Sequence, residues 1–327
     1  MPTVLIAPTP MRFKSGPFRG ILEEAGLTPL DVEGADPFNA EELRRYLPGV
    51  AAMVAGGEKM TAAMMDLAPG LRVIARTGVG YDAIDVPAAT ARGVVVTIVP
   101  GTNHGSVAEH VFGLLLGVTR RIAYYDKTLR SGSWERGLVR PIRGTTLGLV
   151  GLGRIGRAVA ERAVAFGMKV IAFDPVHDAA FDARFGIERR ELDDLLALAD
   201  VVSLHLPLTP ETHRLFDRRI FAGMKPGALL INTARGGLVN EADLVDALTS
   251  GHLGGAGLDV FDPEPPAATN PLFALPNVVV SPHVGGIDTT SMTDMATLAA
   301  RCIADLYRGR WPAECVVNGG LREGWRW

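Results

Sequence analysis

A chain of 327 residues has material for about two domains, at roughly 150 residues each. Hydrophobic residues at 47 % and charged residues at 21 % exclude intrinsic disorder, and a formal net charge of −3 argues against bulk affinity for nucleic acid. The cations are lopsided, 28 Arg against 5 Lys, a bias that GC-rich coding explains and that also supplies planar forks for carboxylates and phosphates.

Short β-branched runs alternate with Ala- and Leu-rich amphipathic stretches. In the first third, strands are predicted at 3–7, 51–54, 72–76 and 94–99, and helices at 18–25, 40–46, 62–67 and 86–91. Such alternation reads as an α/β fold, a mostly parallel sheet covered by helices. Pro100-Gly101-Thr102-Asn103 breaks the pattern, a long helix begins near Ser106, and an irregular Arg-rich stretch, 130–143, contains Trp134. From Thr145 the alternation resumes, with strands at 146–150, 169–173, 201–206, 228–232, 256–260 and 278–281, and a last helix at 291–307.

Cys302 and Cys315 are too few for a disulfide framework and belong to no CxxC or Cys/His cluster. Two reduced, buried thiols and no metal are expected. The N-terminal apolar run, 4–7, has no basic stretch before it, unlike a signal peptide. The most apolar helix, near 107–118, contains Glu109 and His110 and is too short to span a bilayer. A cytoplasmic protein without a membrane partner is the expectation.

Gly151-Leu152-Gly153-Arg154-Ile155-Gly156 is a G-x-G-x-x-G. Alone the pattern is weak; its context is specific. The strand 146–150 runs into it, the helix 157–165 runs out of it, Gly167 ends that helix, and the next strand ends on Asp174. Gly151 permits the tight turn, Gly153 lets the backbone approach a pyrophosphate, and Gly156 lets helix and strand pack closely. The helix N-terminus offers N–H groups and a positive dipole end to phosphates. Asp174 can accept from a ribose 2′-hydroxyl and would repel a 2′-phosphate, so NAD is predicted over NADP.

Three later strand ends carry reactive side chains. The strand 228–232 leads into Thr233-Ala234-Arg235-Gly236-Gly237, the next into Asp262-Pro263-Glu264-Pro265, and the one ending at Ser281 into Pro282-His283-Val284-Gly285-Gly286. Hydride transfer at an alcohol carbon needs a group to move the hydroxyl proton, which suits His283. It needs a carboxylate that favours the protonated imidazole and fixes its tautomer, which suits Glu264. It needs a cation that holds an anionic substrate and polarises its carbonyl, which suits Arg235.

These motifs, with Arg76-Thr77-Gly78-Val79-Gly80 and Ser106-Val107-Ala108-Glu109, resemble the NAD-dependent D-isomer-specific 2-hydroxyacid dehydrogenase family over essentially the whole chain. The resemblance implies a Rossmann-type doubly wound domain, 101–287, inserted into a flavodoxin-like substrate-binding domain, 1–100 plus 288–327, with a hinge near Pro100 and Gly286. It implies catalysis by Arg235, Glu264 and His283. Substrate contacts would come from Arg76, Val79, Gly80 and Arg235. Contacts to NAD would come from Gly151, Gly153, Arg154, Ile155, Gly156, Asp174, Leu206, Thr233, Asp259 and Gly286. It also implies a homodimer through the Rossmann domain, and a short form without an appended regulatory domain. The implied reaction is oxidation of a small D-2-hydroxy acid, or reduction of its keto acid. Two alternatives are a dedicated 3-phosphoglycerate dehydrogenase and an NAD-sensing corepressor-like relative. Phosphoglycerate dehydrogenases commonly carry an Arg where Ala55 stands here; Lys59, in the same loop, and Arg76 are the nearby cations. Formate dehydrogenase is disfavoured by the Glu264–His283 pair.

Overall fold

The structure, a computed structural model, describes residues 1–33 and 40–327. It divides into two compact units, Met1–Asn103 with Ile287–Trp327, and His104–Gly286.

The first unit holds β1 (Thr3–Ile6), α1 (Pro17–Glu24), β2 (Thr28–Asp31), α2 (Ala40–Tyr46), β3 (Val50–Ala55), α3 (Ala62–Asp66), β4 (Val73–Arg76), α4 (Val86–Ala91) and β5 (Val95–Thr97). Its strands pair in parallel in the order β2-β1-β3-β4-β5, the flavodoxin-like arrangement. Both faces are covered, so the inner strands are continuous apolar runs such as Val4-Leu5-Ile6. Phe18 and Leu22 of α1, with Met295, Ala299 and Ile303 of the C-terminal helix Thr289–Tyr307, cover one face; Met64, Met65 and Ala89 cover the other. Thr61 and Asp85 start α3 and α4 by accepting the amides of Met64 (3.3 Å) and Ala88 (2.9 Å). The sequence reading missed β2, Thr-Pro-Leu-Asp. It is a half-exposed edge strand, a setting in a sheet that tolerates Pro29.

The second unit holds α5 (His104–Arg120), α6 (Ile122–Arg130), β6 (Thr146–Val150), α7 (Arg154–Ala165), β7 (Lys169–Phe173), α8 (Ala179–Phe185), β8 (Glu188–Arg189), α9 (Leu192–Leu198), β9 (Val201–Leu204), α10 (Arg218–Gly223), β10 (Leu229–Asn232), α11 (Glu241–Thr249), β11 (Gly255–Leu258) and β12 (Val278–Val280). The all-parallel order is β12-β11-β10-β9-β6-β7-β8. Sequence order runs outward both ways from β6 and β9, so the loops after these two strands part at the switch point. α5 and α7 pack one face of the sheet through Val111, Leu115, Val159 and Ala163; α9, α10 and α11 pack the other through Leu195, Phe221 and Leu244. The helix predicted from 157 starts at Arg154, because Gly153 is its N-cap and the glycines of the turn disguise its first residues. The two-residue edge strand β8 was also missed.

Cys302 and Cys315 are free and buried, and burial pushes both thiols up. Among the described residues no helix is long and apolar enough to cross a membrane, and no group of three or more His, Cys, Asp or Glu residues could hold a metal ion.

Candidate active site

Register sets three strand ends side by side: Asn232 of β10 pairs with Leu258 of β11, which pairs with Val280 of β12. The chain leaves them into the loops of Arg235, Glu264 and His283, at the carboxyl edge where open parallel sheets bind ligands. Two of these loops touch closely, since a Cβ at Gly236 would overlap the backbone of Phe261. Asn232 braces the β10 loop. Its side chain donates to the Arg235 carbonyl (2.8 Å) and accepts from the Ala234 amide (3.0 Å). Arg235 Nη1 donates to the Ala234 carbonyl (2.6 Å), which orients one edge of the guanidinium.

Glu264 Oε2 lies 2.7 Å from His283 Nδ1, while Glu264 Oε1 accepts the Phe261 amide at 3.0 Å. With one oxygen pinned by the backbone, the other is aimed at the imidazole and holds a proton on Nδ1. A proton on Nδ1 leaves Nε2 as the ring nitrogen with a lone pair able to take one. The backbone of His283 is left-handed, φ +53°, uncommon for a residue with a Cβ.

Asp259, just past β11, is 1 % exposed. Its carbonyl accepts the His283 amide at 2.8 Å. Its carboxylate accepts the Ser281 hydroxyl (2.6 Å) and the amides of Val284 (2.9 Å) and Gly285 (2.8 Å). His110 Nε2 stands 3.3 Å from the same carboxylate and 2.7 Å from Ser281 Oγ. Burial alone would push the Asp259 carboxyl up, but these donors outweigh it and hold it below the usual carboxylate range. Sequence reasoning passed over His110. The clue is a polar residue four positions after Ser106 on a helix whose Val107, Val111, Leu114 and Leu115 are buried. Ser106 itself donates to the Gly285 carbonyl at 2.8 Å.

The Gly-rich turn follows β6. At Gly151, φ is +101° and a Cβ would stand 2.7 Å from the His205 carbonyl oxygen; at Gly156 a Cβ would overlap the Gly151 carbonyl. Gly153 faces open space, and the amides of Arg154, Ile155 and Gly156 open α7 without intrahelical acceptors. Asp174, just past β7, accepts the amides of Leu152 (2.6 Å) and Val176 (2.7 Å), which leaves lone pairs on a carboxylate that takes about four bonds. Leu206 follows β9 and Thr233 follows β10. Thr233 Oγ1 and His205 Nδ1 are buried with no protein partner, and burial holds the His205 imidazole down at about 4. An open glycine cradle after β6, amides at a helix start and an orphaned hydroxyl at the end of β10 fit a dinucleotide. Gly286 ends the unit.

Arg76, Val79 and Gly80 lie in the first unit, at the end of β4. The Arg76 guanidinium donates to the Thr77 carbonyl and occupies the space a Cβ at Gly78 would need. Ala55, at the end of β3, is buried, and Lys59 is exposed. Between them Glu58 is 3 % exposed. Its Oε2 accepts the Gly56 amide and its Oε1 is buried without a partner. Burial pushes its carboxyl up, against backbone amides and the nearby cations Arg76 and Arg12.

The family model described as D-isomer specific 2-hydroxyacid dehydrogenase, NAD binding domain, matches residues 112–285. D-3-phosphoglycerate dehydrogenase of Mycobacterium tuberculosis is 44 % identical over 294 residues, 89 % of this chain and 56 % of that one. The chain thus spans about half the length of that relative. Glyoxylate reductase of Thermofilum pendens is 41 % identical over 295 residues, 88 % of this chain and 86 % of that one. The crystal structure of TT0316 protein from Thermus thermophilus matches with a TM-score of 0.85 at 42 % identity, covering 96 % of this chain and 99 % of that one.

Proposed function

The chain belongs to the D-isomer specific 2-hydroxyacid dehydrogenase family, and we propose that it interconverts a small D-2-hydroxy acid and its 2-keto acid with NAD. The observation that carries this reading is the 2.7 Å contact of Glu264 with His283, on loops that leave adjacent strands beside the Arg235 loop. The dinucleotide, when bound, supplies the carbon that takes or gives the hydride. The side chains do the rest. In oxidation, neutral His283 takes the hydroxyl proton at Nε2 while Glu264 steadies the imidazolium; in reduction the same atom returns the proton. Arg235 anchors the substrate carboxylate through its planar fork. Arg76, Val79 and Gly80 are the substrate-contact residues read in the first unit, the proposed substrate-binding domain.

Gly151, Gly153, Arg154, Ile155 and Gly156 form the pyrophosphate cradle. Asp174 takes the ribose hydroxyls and selects NAD over NADP. Leu206, Thr233, Asp259 and Gly286 complete the cofactor side. Ala55 favours a short acid such as glyoxylate or hydroxypyruvate. Arg76 and the phosphoglycerate dehydrogenase relative support a phosphorylated one. NADH oxidation by the purified protein, with glyoxylate, hydroxypyruvate, pyruvate and 3-phosphohydroxypyruvate, separates these. NADH binding without oxidation by any of them refutes the reading. His283→Ala should cut kcat by about 10²- to 10⁴-fold and leave NADH affinity intact.

The proposed enzyme works in the cytoplasm as a homodimer through the second unit. There Ile122 and Leu129 of α6, and Trp134 and Leu138 beyond it, are exposed apolar side chains. Trp134→Glu with Leu138→Glu should halve the mass seen by light scattering; an unchanged mass refutes that contact.

A further inference from the structure

Ser281, His110 and Asp259 form a triangle whose edges are 2.6, 2.7 and 3.3 Å. Two of these edges are short enough to need a proton each. Asp259 is held as a carboxylate and only accepts. Ser281 has one proton. If Ser281 gave it to His110, two oxygen lone pairs would face each other 2.6 Å apart on the Ser281–Asp259 edge. The hydroxyl therefore donates to Asp259, and His110 must carry its proton on Nε2 and donate it to Ser281 Oγ, with Asp259 Oδ1 as a longer second acceptor.

The triangle lies under the turn that presents His283. Asp259 accepts from the Ser281 hydroxyl and from the Val284 and Gly285 amides, and its carbonyl takes the His283 amide, so four donors of the turn from 281 to 285 end on this one residue. His110 adds contact as well as a proton. A Cβ at Gly285 would stand 2.9 Å from Asp259 Oδ2 and 3.3 Å from His110 Cδ2, so the imidazole and the carboxylate both close on that glycine. Ser106, one helical turn before His110, holds the Gly285 carbonyl. One face of α5 thus clamps the far side of the left-handed turn at His283.

We propose that His110 is a positioning residue: as the Nε2–H tautomer it orients the Ser281 hydroxyl toward Asp259 and so fixes the turn that aims His283 at Glu264. The proposal rests on the dehydrogenase reading for its kinetic consequence, and on the hydrogen-bond geometry alone for the rest.

The test compares His110→Leu, which fills the space without a donor, with His110→Gln, whose amide N–H reaches as far as Nε2. Leu should lower kcat by about 2- to 12-fold, the equivalent of one hydrogen bond between neutral groups. Gln should restore kcat. On the protein without cofactor, hydrogen exchange of the 281–286 peptide should quicken in the Leu variant and return to the wild-type rate in the Gln variant. ¹⁵N spectra of the wild-type histidines should show His110 protonated at Nε2. Unchanged exchange in the Leu variant, a Gln variant as impaired as Leu, or a bare Nε2 in the wild type overturns the proposal. Absence of wild-type turnover with every keto acid would instead remove the dehydrogenase reading, and the exchange and ¹⁵N measurements would still decide the role of His110.

Discussion

Replacing Glu264 with Gln keeps the shape of the side chain and changes one oxygen into a donor. The Phe261 amide, 3.0 Å from Oε1, is a fixed backbone donor and claims the remaining carbonyl oxygen. The new NH₂ must then face His283 Nδ1, where a carboxylate oxygen stood at 2.7 Å. An imidazole can meet an NH₂ only with a bare Nδ1, which moves its proton to Nε2. That tautomer cannot take a substrate proton at Nε2. The imidazolium needed in the reductive direction would set Nδ1–H against NH₂. Both directions lose. Loss of a hydrogen bond to a charged group costs about 1.5–3 kcal/mol, so kcat/KM should fall by about 10- to 150-fold. Steady-state rates in both directions, with NADH affinity from fluorescence titration, measure it. Affinity should hold, because Glu264 lies away from the Gly-rich turn in sequence and strand order. Unchanged kcat/KM in either direction would refute the assignment of Nδ1 to Glu264 and of proton transfer to Nε2.

Arg235→Lys should raise the keto-acid KM by about tenfold or more, since a point charge replaces a planar fork; an unchanged KM would count against the carboxylate anchor. Asp174→Ala should lower kcat/KM for NADH by about tenfold and raise it for NADPH, as charge and acceptors are lost together; a constant NADH to NADPH preference would remove Asp174 from that role. Glu58→Gln tests burial. The folded state holds the Glu58 proton more tightly than the unfolded chain does, because its carboxyl is raised above the ordinary 4.5. The wild type therefore loses stability as pH climbs from that value through the folded one, a loss that a neutral Gln escapes. Thermal unfolding should show the variant's advantage growing as pH rises above the ordinary 4.5; an advantage independent of pH would mean that Glu58 does not titrate.

How much of this was legible in the sequence follows from how local each feature is. The strands Thr146–Val150 and Lys169–Phe173 were readable to the residue, since each is an apolar run behind one polar residue and leads into a Gly or an Asp that the next turn requires. β2 and β8 were not, because a four-residue edge strand containing Pro29 and a two-residue strand carry no period to detect. The interruption of the first unit by the second leaves no trace in composition; only the breaks at Pro100–Asn103 and Gly285–Gly286 stand near the crossings. Arg235, Glu264 and His283 could be picked out because each follows a strand, and the carboxyl edge of a parallel sheet gathers such residues whatever lies between them in the chain.

Asp259 shows where that logic stops. The family resemblance implies a cofactor contact there. The structure turns its carboxylate inward, onto donors at 281, 284 and 285 and onto His110 from a helix far earlier in the chain, none of which strand-end reasoning would connect. A carboxylate with that many protein donors is held ionised, and the turn it holds is the one that presents the His283 imidazole, the proposed acid–base group. The backbone that carries His283 to Glu264 is therefore held by a residue that meets it only by a hydrogen bond from the His283 amide to the Asp259 carbonyl. The proposed chemistry is local to three strand ends, but its alignment rests on the packing of α5 against β11 and β12.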